Sequence, residues 1–142
     1  MIMNDKLYLL DTNVLIDFID GVDTVIEHVL NVGVRSCCMS VISLHELYFG
    51  AQLARERKEE FYDKEMKKIS KLQEYFTVLP LEKGGELYGH IKYVLRKKGK
   101  MADEFDMLIA SQALCEGLTV VTDNVKHFEN IPNLNIENWT ER

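Results

Sequence analysis

The chain reads as an α/β protein with a parallel central sheet and helices on both faces, an α/β/α sandwich. Three observations predict it. Leu7-Tyr8-Leu9-Leu10 and Leu118-Thr119-Val120-Val121 have the near-continuous hydrophobicity of strands buried on both sides. Segments with apolar residues at helical spacing alternate with such runs, the order that builds parallel sheets. Both runs also stop on an acid, Asp11 in the first case and Asp123, after Thr122, in the second. That places carboxylates at the carboxyl ends of strands, the ligand-binding edge of an open α/β sheet.

Taken in order, residues 6–10 are the first strand and Asp11-Thr12-Asn13 a tight turn. Thr12 or Asn13 is the expected N-cap of a helix carrying Val14, Leu15, Ile16, Phe18 and Ile19. Asp11 has two readings on this turn, a ligand-binding acid or a plain helix cap. Gly21 breaks the pattern, and Val22, Val25, Ile26, Val29 and Leu30 resume it as far as Gly33. Residues 34–39 are expected as the second strand. Ser40 then caps a helix through Val41, Ile42, Leu44 and Leu47 to Ala54, with Ser43 and Glu46 inside it. A carboxylate on so apolar a stretch is costly unless it is paired, hydrogen-bonded or metal-bound. Pairing with Arg55 or another cation is the simpler account of Glu46 taken alone.

Residues 55–75 carry dense mixed charge around a sparse stripe of Phe61, Met66, Ile69 and Leu72, as in a solvated helical arm. Residues 76–81 are the third strand, and a helix runs from about Glu82 to Gly99. Its end, Arg96-Lys97-Lys98 with Lys100 beyond, either complements the negative helix terminus or binds phosphate. Asp103 is a natural N-cap for the next helix, on which Asp106, Ile109, Ala110 and Ala113 share a face. Asp103, Glu104 and Asp106 are more acid than capping requires, and a nearby cation would relieve their repulsion. Gly117 ends this helix and residues 118–122 form a strand. The tail suggests a short helical turn at His127-Phe128 and an edge strand before Trp139.

The 142 residues fit one domain, 1–142, with a real core. A net charge of −6 offers nucleic acid and anionic membranes no overall attraction, so any phosphate chemistry needs cations between the carboxylates and the substrate. Three cysteines, two of them the vicinal Cys37-Cys38, make no disulfide framework, and the four histidines have no zinc-ligand spacing. No run is long and apolar enough to span a bilayer, which points to a cytoplasmic protein with no membrane partner.

Asp11 and Asp123 can be neighbours only if their strands lie close together in the sheet. Glu46 and Asp106 sit on helices that start from the same edge. Four carboxylates in one cleft repel unless a hard divalent cation holds them, and all-oxygen donors suit Mg²⁺ or Mn²⁺. Such ions activate water for phosphoryl displacement. Thr12, Asn13, Ser43 and Thr122 would orient the ligands.

Leu9-Leu10-Asp11-Thr12-Asn13-Val14-Leu15-Ile16, Ser40-Val41-Ile42-Ser43-Leu44-His45-Glu46-Leu47, Asp106-Met107-Leu108-Ile109-Ala110-Ser111 and Val121-Thr122-Asp123-Asn124 follow one another in order and spacing. Together they closely resemble PIN-domain proteins, and among these the VapC-type toxins of toxin–antitoxin pairs. The resemblance covers nearly the whole chain. It implies a PIN fold and a Mg²⁺- or Mn²⁺-dependent endoribonuclease that leaves 5′-phosphate and 3′-hydroxyl ends. It also implies a homodimer held inactive by a cognate VapB-type antitoxin, with DNA reached only through that antitoxin. Asp11, Glu46, Asp106 and Asp123 take the places of the family's acidic ligands, and Glu104 matches a position that is often acidic. No histidine is expected to take part. Two other functions remain open at this point: a PIN-like module that binds RNA or protein without cleaving, and an RNA-processing nuclease that is not a toxin. A phosphotransferase with Asp11 as nucleophile fits poorly, because such enzymes want a second Asp where Asn13 stands.

Overall fold

The structure, a computed structural model, describes residues 6–141. Its sheet is built from five short parallel strands, β1 (Tyr8–Leu10), β2 (Cys37–Ser40), β3 (Thr77–Leu79), β4 (Thr119–Val121) and β5 (Ile136–Glu137), in the order β3-β2-β1-β4-β5. The helices between them are α1 (Thr12–Ile19), α2 (Asp23–Val32), α3 (Val41–Arg57), α4 (Glu59–Tyr75), α5 (Gly85–Lys98), α6 (Glu104–Glu116) and α7 (Val125–Phe128). The expected α/β sandwich is therefore the observed one.

Strand alternation explains how both faces are covered. Tyr8, Leu10, Met39 and Val121 point to one side, where Val14 and Leu15 of α1, Val25 and Val29 of α2, and Leu72 of α4 cover them. Leu9 and Val120 point to the other, against Ile91 and Leu95 of α5, Met107, Ile109 and Ala113 of α6, and Phe128 of α7. Leu9 is wholly buried. Leu9→Ala is expected to cost about 2–5 kcal/mol, read as a lower urea midpoint with an unchanged slope.

Several boundaries differ from the sequence expectation. The first helix starts at Thr12, and its N-cap is Asp11, whose carboxylate accepts the Thr12 N–H; neither Thr12 nor Asn13 is the cap. The apolar stretch 34–39 is only half strand, because Val34–Ser36 winds into a 3₁₀ turn before β2. The helix expected from Glu82 waits until Gly85. The charged segment 55–75 is solvated on its outer side, and its apolar seam packs on the body of the domain, one of the two placements that such a stripe allows. α3 continues to Arg57, Lys58 breaks the helix with extended backbone, and α4 folds back along α3, burying Ile69 and Leu72.

Other signals hold as read. Gly99 and Gly117 close α5 and α6 in left-handed conformations, φ 66° and 69°, that a side chain would resist. Ser40 caps α3, accepting the Ile42 N–H and donating to the Gln112 side chain. The Gln112 amide in turn reaches the carbonyls of Leu79 and Pro80. This buried link ties the ends of β2 and β3 to α6. No helix among the described residues is long and apolar enough to cross a membrane.

Candidate active site

The central strand β1 pairs with β2 on one side and β4 on the other, with Leu10 opposite both Met39 and Val121. The chain runs from β1 outward to β2 and β3 and then returns past β1 to β4, so the winding reverses between β1 and β4, a switch point whose carboxyl end opens a crevice. Asp11 is the first residue beyond that end. Its N–H donates to the Val121 carbonyl at 2.9 Å, which carries the ladder one step further and sets Asp11 beside Thr122. The Thr122 hydroxyl donates to Asp11 Oδ2 at 2.9 Å, and the Thr12 N–H donates to Oδ1 at 2.8 Å. Both Asp11 oxygens are fixed by these bonds, and the side chain is nearly buried, 6% exposed.

Glu46 comes from the second turn of α3. The Thr12 hydroxyl lies 2.8 Å from Glu46 Oε1 and 2.9 Å from Ser43 Oγ. A hydroxyl has one proton and an ionised carboxylate only accepts. Thr12 therefore donates to Glu46 and accepts from Ser43, so that Ser43, Thr12 and Glu46 form a directed chain. Thr12→Val breaks this chain and should lower the turnover of the activity argued below by about 10–100-fold, the usual loss when a carboxylate's supporting partner goes. Single-turnover kinetics would measure it, with Ser43→Ala expected to fall between Thr12→Val and the wild type.

Asp106 projects from the first turn of α6, which Asp103 caps by accepting the N–H groups of Phe105 and Asp106. Its Oδ2 lies 3.1 Å from His127 Nδ1. Asp11, Glu46 and Asp106 line a single cleft of about 250 Å³, with Thr12, Asn13, Asp103, Asn124 and His127 completing its wall.

The cleft is electrostatically uncomfortable without a cation. Burial raises the pKa of Asp11, against the opposing effect of its bonds from Thr12 and Thr122, and Asp123 raises it further. Burial likewise raises Glu46; the Thr12 bond opposes this, and Asp11 and Asp103 add to it. Asp106 is pushed up to about 6 by burial and by repulsion from Asp11 and Asp103, with His127 pulling the other way. An all-oxygen donor set whose members resist ionising together is what a hard divalent cation would relieve. As they stand, no three His, Cys, Asp or Glu side chains among the described residues close on one point. The acids line the cleft without gripping its centre.

Four residues require revision. Asp123 is exposed and stands outside the cleft wall, although its charge is felt by Asp11 and by Asp17. Glu104 turns away to meet Lys92 at 3.0 Å and does not line the cleft. Asp103 is the predicted cap and a wall residue as well. His127, for which the sequence reading expected no part, lines the cleft and lies against Asp106. The short helix α7 follows β4 after three residues and swings the imidazole back over Asp106, a return that the Asp123-Asn124-Val125-Lys126-His127 spacing could have suggested. His45 is bound to its own helix, Nδ1 to the Val41 carbonyl at 2.7 Å. Arg96, Lys97 and Lys98 lie exposed at the end of α5, and only Lys100 of the basic group lines a cavity next to the cleft.

Residues 8–134 match the family model of the PIN domain. The chain belongs to the PIN-domain family. Among the relatives of this PIN domain, Ribonuclease VapC of Haemophilus influenzae (strain 86-028NP) is 35% identical over 133 residues, 93% of this chain and 97% of that protein. The tRNA(fMet)-specific endonuclease VapC of Salmonella typhimurium is 34% identical over 134 residues, covering 93% and 97%. In three dimensions this PIN domain is similar to a chain in the crystal structure of DNA-bound VapBC from Salmonella typhimurium. The TM-score is 0.82 at 30% identity, with 94% of this chain and 98% of that one aligned. The resemblance read from the four motifs is thus a family membership, in the company of VapC proteins.

Proposed function

We propose that this PIN domain is a metal-dependent endoribonuclease of the VapC type, the toxin of a toxin–antitoxin pair. The observation that carries the reading is the meeting of Asp11, Glu46 and Asp106 in one cleft at the carboxyl edge of β1, each with its acidity suppressed. In this reading those three, with Asp123 at the rim, would hold Mg²⁺ or Mn²⁺. When bound, such an ion activates a water and offsets the negative charge that builds up in an in-line phosphodiester displacement.

The chain's own residues set the geometry for that step. Thr122 and the Thr12 N–H hold Asp11, the Ser43–Thr12 pair holds Glu46, and His127 holds Asp106. Asn13 and Asn124 are neutral groups at the mouth, able to contact ribose or phosphate without adding repulsion. The ribonuclease and endonuclease names of the VapC relatives support RNA as substrate.

A VapB-type antitoxin is the expected partner, as in the VapBC complexes of similar fold. Tyr48, Phe49, Leu53 and Phe61 leave apolar surface exposed on the α3–α4 hairpin, which suits a protein partner or a second copy in a homodimer. An acidic chain needs that partner to bring the basic groups for any DNA contact. We place the protein in the cytoplasm on the same reading.

The test is incubation of purified, partner-free protein with total cellular RNA, with Mg²⁺ or Mn²⁺ and with EDTA. Discrete fragments that need the metal and carry 5′-phosphates are expected. No fragments, or fragments that persist in EDTA, would overturn the reading, and binding without cleavage would make the chain a binding module.

A further inference from the structure

The cavity that holds Lys100 is as large as the acidic cleft, about 250 Å³, and Asp103 and His127 line both. The two are neighbouring sections of one surface, divided by two side chains. Their chemistry differs sharply. The acidic section collects Asp11, Glu46 and Asp106, whereas the second presents Lys100, Lys126, Asn130 and the apolar Met101. Lys100 and Lys126 are exposed and form no ion pair among the described residues. Five of the other lysines are engaged with acids, among them Lys68 with Asp20 and Lys92 with Glu104. Met101 is 54% exposed and lends this section an apolar surface.

We infer that this second section is the track of the RNA strand on one side of the scissile phosphate. In it Lys100 and Lys126 each meet a backbone phosphate, and Met101 and Asn130 meet the adjacent base. The inference rests on the ribonuclease reading above. A polyanion approaching a chain of net charge −6 and a cleft of carboxylates needs local cations at the flanking phosphates. These two lysines line the cavity that adjoins the acids, ahead of Arg96, Lys97 and Lys98 on the helix end. A flexible, polarisable Met side chain offers a splayed base dispersion contact, and the neighbouring Asn amide can hydrogen-bond its edge.

The test uses Asp11→Asn protein in EDTA, so that RNA is bound and not cut, with a fluorescein-labelled single-stranded RNA oligonucleotide of mixed sequence. Affinity is followed across a KCl titration. Losing two phosphate contacts should weaken binding about tenfold and flatten the log–log salt slope by about 1.4, that is, about 0.7 per contact on a single strand. The charge-matched pair Lys64→Ala/Lys71→Ala, on the exposed side of α4, should leave the slope unchanged. In the cleaving protein, Lys100→Ala/Lys126→Ala should raise KM with kcat nearly kept, and Asn130→Ala should alter which sites are cut in end-mapped RNA. Equal slopes for the two lysine pairs, or a loss confined to kcat, would overturn the track while cleavage by the wild type leaves the ribonuclease reading standing. Absence of RNA cleavage by the wild type overturns both.

Discussion

Asp11→Asn is expected to lower RNA cleavage by about a thousandfold or more, well beyond the roughly 10–100-fold lost when only a ligand's supporting partner is removed. The same variant should unfold at a higher temperature than the wild type in the absence of metal. The two effects have one cause. Burial makes the ionised Asp11 costly, with Asp123 adding to that cost, so a neutral isostere relieves strain that the folded protein carries for function. Asparagine fits the hydrogen bonds almost as well. Its oxygen can accept the Thr12 N–H, and its amide can donate to Thr122 once that hydroxyl turns. Asparagine is also as good an N-cap as aspartate. The variant therefore separates the two roles of Asp11. If capping of α1 were its whole purpose, Asp11→Asn would cleave RNA like the wild type. Calorimetry and a fragment-release assay on the same preparations would decide it.

That double role explains a good part of what was legible in the sequence. The motif Leu10-Asp11-Thr12-Asn13 announces a strand end because hydrophobic periodicity changes there from continuous to helical, a local signal. Leu118 to Asp123 repeats it, and β4 does lie next to β1, although the residue that reaches Asp11 from that strand end is Thr122. Which polar residue of the turn takes the cap was not legible, since Asp11, Thr12 and Asn13 are all competent and the choice falls to where the Val121 carbonyl holds the Asp11 N–H. The stretch 34–39 failed as a strand for a similar reason. Val34 is apolar enough, but only Cys37 onward has a partner in register with β1.

The site followed the same division between local and non-local causes. Asp11, Glu46 and Asp106 line one cleft as expected, although each taken alone has a plain local account. What singles them out in the sequence is their convergence on one sheet edge and the motifs that carry them. Glu104 and Asp106 are two residues apart and look alike in sequence. A lysine on α5, twelve positions away, draws Glu104 out of the cleft, and a histidine on α7 holds Asp106 in it. Neither contact leaves a trace in the segment that carries the acids. Asp123 shows the limit from the other side: the strand-end grammar placed it at the right edge, but β4 delivers Thr122 to Asp11 and leaves Asp123 one residue beyond, facing solvent.

Asp106 should also make metal-free stability depend on pH in a direction opposite to most carboxylates. Its folded pKa stands at about 6, above the ordinary 3.8, so the folded protein binds the proton more tightly than the unfolded chain. Below about pH 4 both states are protonated and the group has no effect on folding. Between about 4 and 6 the folded state alone holds the proton, and above about 6 the ionised carboxylate destabilises the fold in full. Stability contributed by this group therefore falls as pH rises through that window. A rise of this size would be worth about 3 kcal/mol in a dry site; at a cleft open to water about 1–2 kcal/mol is expected. Asp106→Asn isolates it. The variant should be more stable than the wild type at pH 7.5, with the gap closing towards pH 4, in urea titrations taken in EDTA. Saturating Mg²⁺ should invert the order at pH 7.5, since a ligand at a hundred times its Kd adds about 2.7 kcal/mol to the state that binds it, and the variant has lost one carboxylate of the donor set. A gap that is constant with pH would assign Asp106 a packing role, and a wild type that Mg²⁺ fails to stabilise would remove the cation from the cleft.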